Sequence, residues 1–176
     1  ILACQSRLTM DCEIEAEIGD LVRVPSQLYE ARIKSTTLLT SDIMSVTVFT
    51  DEEVPDGNNR PGLPGMWAEL SLPGLDRPRS YSYASAPQNE NKNEFTFFIR
   101  KVPGGKFTEW LFDENRDPNE SVSVHGPFGS FYLREKNTPI VCIAGGSGLA
   151  PIKAILEGGV NGQIKRDVIF LFGART

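Results

Sequence analysis

Pro139-Ile140-Val141-Cys142-Ile143-Ala144-Gly145-Gly146-Ser147-Gly148-Leu149-Ala150-Pro151 is the stretch that decides the fold. Its first six residues form a continuous apolar run, the pattern of a strand buried on both faces of a parallel sheet. A glycine-rich turn follows, and then a helix-like segment from Pro151 to Glu157, with Pro151 in the first turn, where its missing N–H costs nothing. A second apolar run, Val168 to Phe172, completes a strand–helix–strand order, one βαβ unit at the opening of a doubly wound domain. The glycines let backbone approach a ligand closely, and free N–H groups at the helix start suit a phosphate. A tight turn with no ligand is the plain alternative, because the spacing is not the usual G-x-G-x-x-G.

Upstream of about residue 137 the pattern differs. From Tyr29 onward the chain alternates with period two, as half-buried strands do. The clearest runs are Met44 to Phe49, Phe95 to Arg100 and Val122 to Val124. Turn-rich stretches such as 56–65 and 88–91 separate them. Short strands at intervals of about 10 to 20 residues indicate an antiparallel barrel or sandwich. One short helix fits Lys106 to Phe112, with Phe107, Trp110 and Leu111 on one face. Residues 1–28 read as a tail and linker.

Two upstream motifs carry ligand chemistry. In Arg79-Ser80-Tyr81-Ser82-Tyr83-Ala84-Ser85, a strand would put Arg79 and Tyr81 on one face. A guanidinium beside a phenol ring suits a ligand with a phosphate and a flat aromatic system. Ser82 would point to the other face, so its use at the same ligand requires a strand end or bend. An exposed polar strand is the alternative. Val102-Pro103-Gly104-Gly105-Lys106-Phe107-Thr108 is a second glycine turn entering a helix, an anion site or simple turn chemistry.

Composition narrows the field. Of 176 residues, 40% are hydrophobic and 23% charged, so the chain can bury a core. A net charge of -5 argues against nucleic acid. No apolar run approaches the roughly 18 residues of a membrane span, and no leader pattern opens the chain; a cytoplasmic setting is the expectation. Cys4, Cys12 and Cys142 are too few for a disulfide framework, and Cys142 reads as a small buried hydrophobe. The start without Met, inside an apolar stretch, and the stop after a strand-like run suggest a partial chain.

The ordered set RSYS (from Arg79), GGKFT (from Gly104), GPFGSFYLR (from Gly126), AGGSGLAP (from Ala144) and LFGART (to Thr176) resembles the ferredoxin–NADP reductase superfamily from Tyr29 to Thr176. The start, around Cys4 and Cys12, resembles the end of a plant-type [2Fe–2S] ferredoxin domain. Together they resemble three-domain reductases of bacterial ring-hydroxylating dioxygenases and multicomponent monooxygenases. The resemblance implies an all-β antiparallel Greek-key FAD-binding barrel over 29–136. Before it, residues 1–28 would be a ferredoxin tail and linker; after it, 137–176 would be the first βαβ part of an NAD(P)-binding domain.

By the same resemblance, Arg79 would bind the FAD pyrophosphate, Tyr81 would stack on the isoalloxazine, and Ser82 would hydrogen-bond near its N5. Tyr83 would join this cofactor-binding set. Gly104, Gly105, Lys106 and Thr108 would hold the pyrophosphate, chiefly through backbone N–H. Gly145, Gly146, Gly148 and Pro151 would shape the dinucleotide site, with Arg175 near its phosphates or ribose. Gly126 to Gly129 would be the turn between the two domains, and His125 its structural neighbour. Cys4 matches the last of four cluster ligands; the segment carrying the other three is not in this sequence, so the [2Fe–2S] centre is expected only of an intact protein. Cys12 matches no ligand position. The implied activity passes electrons from NAD(P)H, with NADH favoured, through FAD to a [2Fe–2S] centre and on to an oxygenase or ferredoxin. The alternatives are an FMN-dependent or flavohaemoprotein-like or nitrate-reductase-like branch of the superfamily, and a barrel without flavin.

Overall fold

A computed structural model of the chain describes residues 25–52, 54, 64–86, 93–117, 120–134, 136–160 and 164–174. Six antiparallel strands form the first part: β1 (Gln27–Leu38), β2 (Ile43–Phe49), β3 (Trp67–Ser71), β4 (Arg79–Ser82), β5 (Glu94–Arg100) and β6 (Ser121–Phe128). Their order is β4-β3-β6-β1-β2-β5, so β6 returns across the sheet to lie between β3 and β1, a Greek-key path. The sheet curls until its edges almost meet. Past β4 the chain reaches from one edge to the other: Tyr83 N–H still donates to Met66 O, beside β3, at 3.0 Å, and Ala84 N–H donates to Thr96 O of β5 at 2.7 Å. Tyr83 forms a single bridge with Phe97 of β5, which nearly closes the barrel.

The period-two pattern explains the core. Val46 faces Phe97 and Val48 faces Phe95 across β2 and β5, while Ala31 faces Val122 across β1 and β6. All six are buried. Such opposed apolar pairs stabilise a sheet by packing as well as by area removed from water, about 1.5–3 kcal/mol for each large side chain fully buried. The helix α1 (Lys106–Leu111) plugs one end with Phe107 and Leu111, both buried in the same cluster.

The sequence expectation of strands at 44–49, 95–100 and 122–124 matches β2, β5 and β6, although β6 runs on to Phe128. Gly126 to Phe128 therefore belong to a strand, and the turn out of the barrel begins at Gly129, whose φ is +91°. Pro127 lies beyond the last β1 pair, Gln27–Gly126, and at the irregularity in the β3 register. Positions of that kind tolerate a residue without an N–H.

The second part contains β7 (Ile140–Gly145), a tight turn at Gly146–Gly148, α2 (Leu149–Val160) and β8 (Val168–Gly173). β7 and β8 pair in parallel from Ile140–Val168 to Gly145–Gly173. Cys142 and Ala144 are buried against Ile152 of α2. Burial raises the Cys142 thiol pKa, as a small core residue requires. The expected burial of β7 on both faces is not what is found. Val141 is 59% and Ile143 70% exposed, because alternate residues face away from α2 and no described element covers that side. The helix also starts earlier and ends later than 151–157.

Candidate functional site

β4 is the edge strand of the barrel, and its register sets what its side chains can do. Arg79 and Tyr81 stand opposite Leu70 and Ala68 of β3, both fully buried, so they rise from the inner side of the edge. Ser80 and Ser82 stand opposite Glu69 and Trp67 on the other side. Ser82 is the last residue of β4. The strand end that its use alongside Tyr81 requires is therefore present.

Tyr81 leans on Phe107 of α1, ring centroids 5.7 Å apart, and Phe107 leans on Trp110 at 5.8 Å. This contact brings the β4 motif and the Gly104–Gly105 turn together, although 20 or more residues separate them in sequence. Burial pushes the Tyr81 phenol up to about 12, with the Arg79 charge acting in the opposite sense. Tyr81 therefore stays a neutral, half-buried ring at ordinary pH, suited to stacking. The Arg79 guanidinium is already oriented: Nη1 donates to the carbonyls of Arg77 at 2.8 Å and Pro78 at 3.2 Å. Nη2 lies 3.9 Å from Asp76 Oδ1.

The Gly104–Gly105 turn needs both its glycines. Gly104 has φ +73° and nothing within 4 Å of where a Cβ would stand, so this side of the turn is open. A Cβ on Gly105 would come within 2.8 Å of Thr108 Oγ1 and 3.0 Å of Val102 O, so only glycine fits. α1 has only six residues, so its dipole counts for little, and the Gly105 N–H donates to Val102 O at 2.9 Å, contrary to its expected use on a ligand; N–H groups of the first helical turn are the better placed donors. The Gly104 N–H is held by Glu109 Oε1 at 3.1 Å. Lys106 is the first residue of α1 and exposed.

Two expected cofactor side chains are placed elsewhere. Tyr83 is 3% exposed and packs between Phe95 and Phe97, with centroids at 6.1 and 5.3 Å. Its phenol is raised by burial, and it is a core residue because the chain has crossed into the barrel wall at that point. The Thr108 hydroxyl is buried and engaged internally: it donates toward Val102 O and Gly105 O and accepts from Val102 N–H, at 3.0 to 3.1 Å. Thr108 thus shapes the turn with its side chain and can offer a ligand only its backbone.

The Gly146–Gly148 turn stands at the end of β7, where Gly146 has φ +53°. A Cβ on Gly145 would find only Gly173 O at 3.5 Å, and one on Gly148 would find nothing within 4 Å. That open surface could admit a dinucleotide. Pro151 is the third residue of α2, in its first turn. His125 sits on the barrel surface 3.7 Å from Glu69 and edge-on to Phe128, as a structural neighbour would. Cys4, Cys12 and Arg175 lie outside the described residues, among which no cluster of three or more metal-binding side chains occurs. No described helix is long and apolar enough to cross a membrane.

Glu109 and Lys153 belong to the site's surroundings and are missed by motif reading. The Lys153–Glu157 pair is legible as an i,i+4 spacing, but the carbonyl that Lys153 reaches is not.

Residues 31–132 match the family described as oxidoreductase FAD-binding domain. The chain is 34% identical over 178 aligned residues to the ferredoxin–NAD(P)(+) reductase component of a naphthalene 1,2-dioxygenase system of Pseudomonas putida, covering 100% of this chain and 51% of that protein. It is 36% identical to a xylene/toluene monooxygenase electron transfer component of the same species, covering 99% and 47%. Among solved structures, a ferredoxin reductase in carbazole 1,9a-dioxygenase superposes with a TM-score of 0.72 at 30% identity, covering 86% of this chain and 44% of that one. The chain spans about half the length of the curated relatives it matches.

Proposed function

The chain belongs to the oxidoreductase FAD-binding domain family, and from that premise we propose that it is the flavin-binding part of an NAD(P)H-dependent electron-transfer reductase. The intact protein would pass electrons from NADH through FAD to a [2Fe–2S] centre and on to an oxygenase component or a ferredoxin. Relatives named as reductase components of dioxygenase and monooxygenase systems support this reading. The single observation that carries it is the packing of Tyr81 on Phe107, which sets a cation and a neutral ring beside an open glycine turn. A flavin diphosphate needs that combination.

The residues fit the cofactor. Arg79 would hold the diphosphate, with backbone N–H groups of Lys106 and Thr108 on its other side and that of Gly104 once Glu109 releases it; Gly105, whose N–H is given to Val102 O, would shape the turn. Tyr81 would cover the ring face, and Ser82, at the strand end, would reach the ring edge with its hydroxyl. Gly145, Gly146, Gly148 and Pro151 would shape the nicotinamide dinucleotide site. FAD, when bound, supplies the acceptance of an electron pair and its release one electron at a time. The chain's own work is to bind, orient and keep water from the ring face. We retain 29–136 as the barrel unit and 137–176 as the nucleotide unit. Arg175 near the dinucleotide, Cys4 as a cluster ligand of the intact protein, and a cytoplasmic setting are parts of the same proposal.

The test is an absorption spectrum of the purified chain before and after anaerobic addition of NADH. A flavin spectrum that bleaches supports both sites. A flavin spectrum that persists keeps the barrel site and removes the nucleotide site from this chain. No flavin after reconstitution with FAD and with FMN would refute the role of Arg79, Tyr81 and Ser82.

A further inference from the structure

The strand end at Ser82 and the turn at Gly146–Gly148 lie on different elements, and α2 joins the turn and touches the chain just past that strand end, at Ala84 and Ala86. Its first residue follows the turn directly. One side of α2 packs Ile152 against Cys142 and Ala144 of β7. Another side meets the barrel. A Cβ on Gly65 would come within 2.8 Å of Ile155 Cδ1, and one on Gly158 within 2.8 Å of Pro64 Cγ and 3.7 Å of Ala86 Cβ. These approaches are too close for a loose contact.

Between them stands Lys153. Its Nζ donates to the carbonyl of Ala84 at 3.0 Å and pairs with the Glu157 carboxylate one turn along. Ala84 is fully buried, lies two residues beyond Ser82, and has its own N–H on Thr96 O. The other Glu157 oxygen, Oε2, is buried and has no hydrogen-bond partner among the described residues. A lysine at this exposure could extend into water. Here its tip instead rests on a main-chain carbonyl, beside a carboxylate that would be a poorly compensated charge without it. Five residues of helix, about 7–8 Å of rise, connect Gly148 to Lys153 and move as one body.

We infer that Lys153 is a positioning residue: by holding the Ala84 carbonyl, with Glu157 fixing its ammonium, it sets where the Gly146–Gly148 turn stands relative to the strand end at Ser82. The functional meaning rests on the proposed flavin and dinucleotide roles of those two places. The coupling itself rests on geometry alone. Lys153→Met keeps the stem and removes the ammonium, leaving Ala84 O without its donor. Lys153→Arg restores a cation of similar reach. The pair is half-exposed but the Ala84 carbonyl is buried, so the melting temperature of Lys153→Met should fall by about 2–6 °C, with the fold retained.

The deciding experiment is amide hydrogen exchange on the whole chain, with and without FAD. Lys153→Met is expected to speed exchange about tenfold in segments 79–86 and 145–150 together, while β1, β2 and β5 stay as in the parent. Lys153→Arg should return both segments to within about threefold of the parent, and FAD affinity should stay within about twofold. With NADH, the limiting rate of flavin bleaching should fall about tenfold although FAD remains bound. Loosening of 79–86 alone, or of neither segment, would overturn the inference. If Lys153→Met loosens every segment, Glu157→Gln carries the comparison: it leaves the lysine in place but frees its tip, and the same two segments must respond. A chain that takes up no flavin would count against the flavin reading only, since the exchange experiment is also read on the flavin-free protein.

Discussion

Replacing Arg79 by Met tests the flavin site most directly, because the structure separates its effect on binding from its effect on folding. In the folded chain the guanidinium makes two bonds to carbonyls of its own turn, Arg77 O and Pro78 O, and lies 3.9 Å from Asp76. The side chain is half-exposed, so losing these contacts should lower stability by about 1 kcal/mol or less, or a melting temperature about 2–4 °C lower. A guanidinium paired in two points with a diphosphate is a different matter. Charge-assisted bonds contribute about 1.5–3 kcal/mol each, and a pair sharing one charge about 2–4 kcal/mol together. That corresponds to an increase in the FAD Kd of about 30- to 1,000-fold. Arg79→Lys should fall between, since it keeps the charge and loses the fork. The assay is quenching of flavin fluorescence on titration into the flavin-free chain, beside a thermal melt of each variant. An Arg79→Met variant that melts like the parent and binds FAD within about threefold of it would refute the placing of the diphosphate at Arg79.

Three further outcomes follow from the same geometry. Gly65→Ala forces a residue with φ +102° to carry a Cβ 2.3 Å from Phe131 O, so strain and overpacking together should cost about 2–5 kcal/mol, seen as a melt about 5–15 °C lower; an unchanged melt would contradict the close approach of α2 to the barrel. Glu109→Gln removes the carboxylate that occupies the Gly104 N–H, and FAD binding at low salt should tighten about three- to tenfold; weaker binding would take the diphosphate away from that turn. Burial raises the phenols of Tyr29, Tyr81 and Tyr83, that of Tyr81 to about 12. A raised phenol holds its proton more tightly folded than unfolded, so its contribution is complete below the unfolded value of about 10 and is lost as pH rises toward the folded one. For Tyr81 this is on the order of 2 kcal/mol after allowance for its exposed edge. Denaturant melts of a Tyr132→Phe chain between about pH 9 and about pH 12 should show stability falling over that window, with the tyrosinate absorbance of Tyr29, Tyr81 and Tyr83 appearing only as unfolding begins; tyrosinate formed early in that chain with stability unchanged would contradict the burial.

The barrel was legible because its strands are half-buried and alternate. Val46, Val48, Phe95 and Phe97 announce an inner face by period two alone, and each strand so marked is found. β3 was not singled out, although Ala68 and Leu70 alternate within it, because Trp67–Ser71 is short and its partners lie far along the chain. β7 was legible as a strand but not in its surroundings: the run Ile140 to Ala144 is apolar throughout, so periodicity could not tell the face on α2 from the face left open.

The sequence alone determined the passage from alternating strands to a strand–helix–strand unit and the two glycine turns, and it offered Arg79 and Tyr81 as candidates on one strand face, because turn chemistry, alternation and charge-plus-ring chemistry act over a few neighbouring residues. Tertiary structure alone decided that Tyr81 meets Phe107, that Tyr83 belongs to the core, that the Thr108 hydroxyl turns inward, and that Lys153 reaches Ala84. Each of those depends on barrel closure and on the docking of α2. Closure and docking bring together backbone groups dozens of residues apart, and only there is the last polar group either satisfied or left for a ligand.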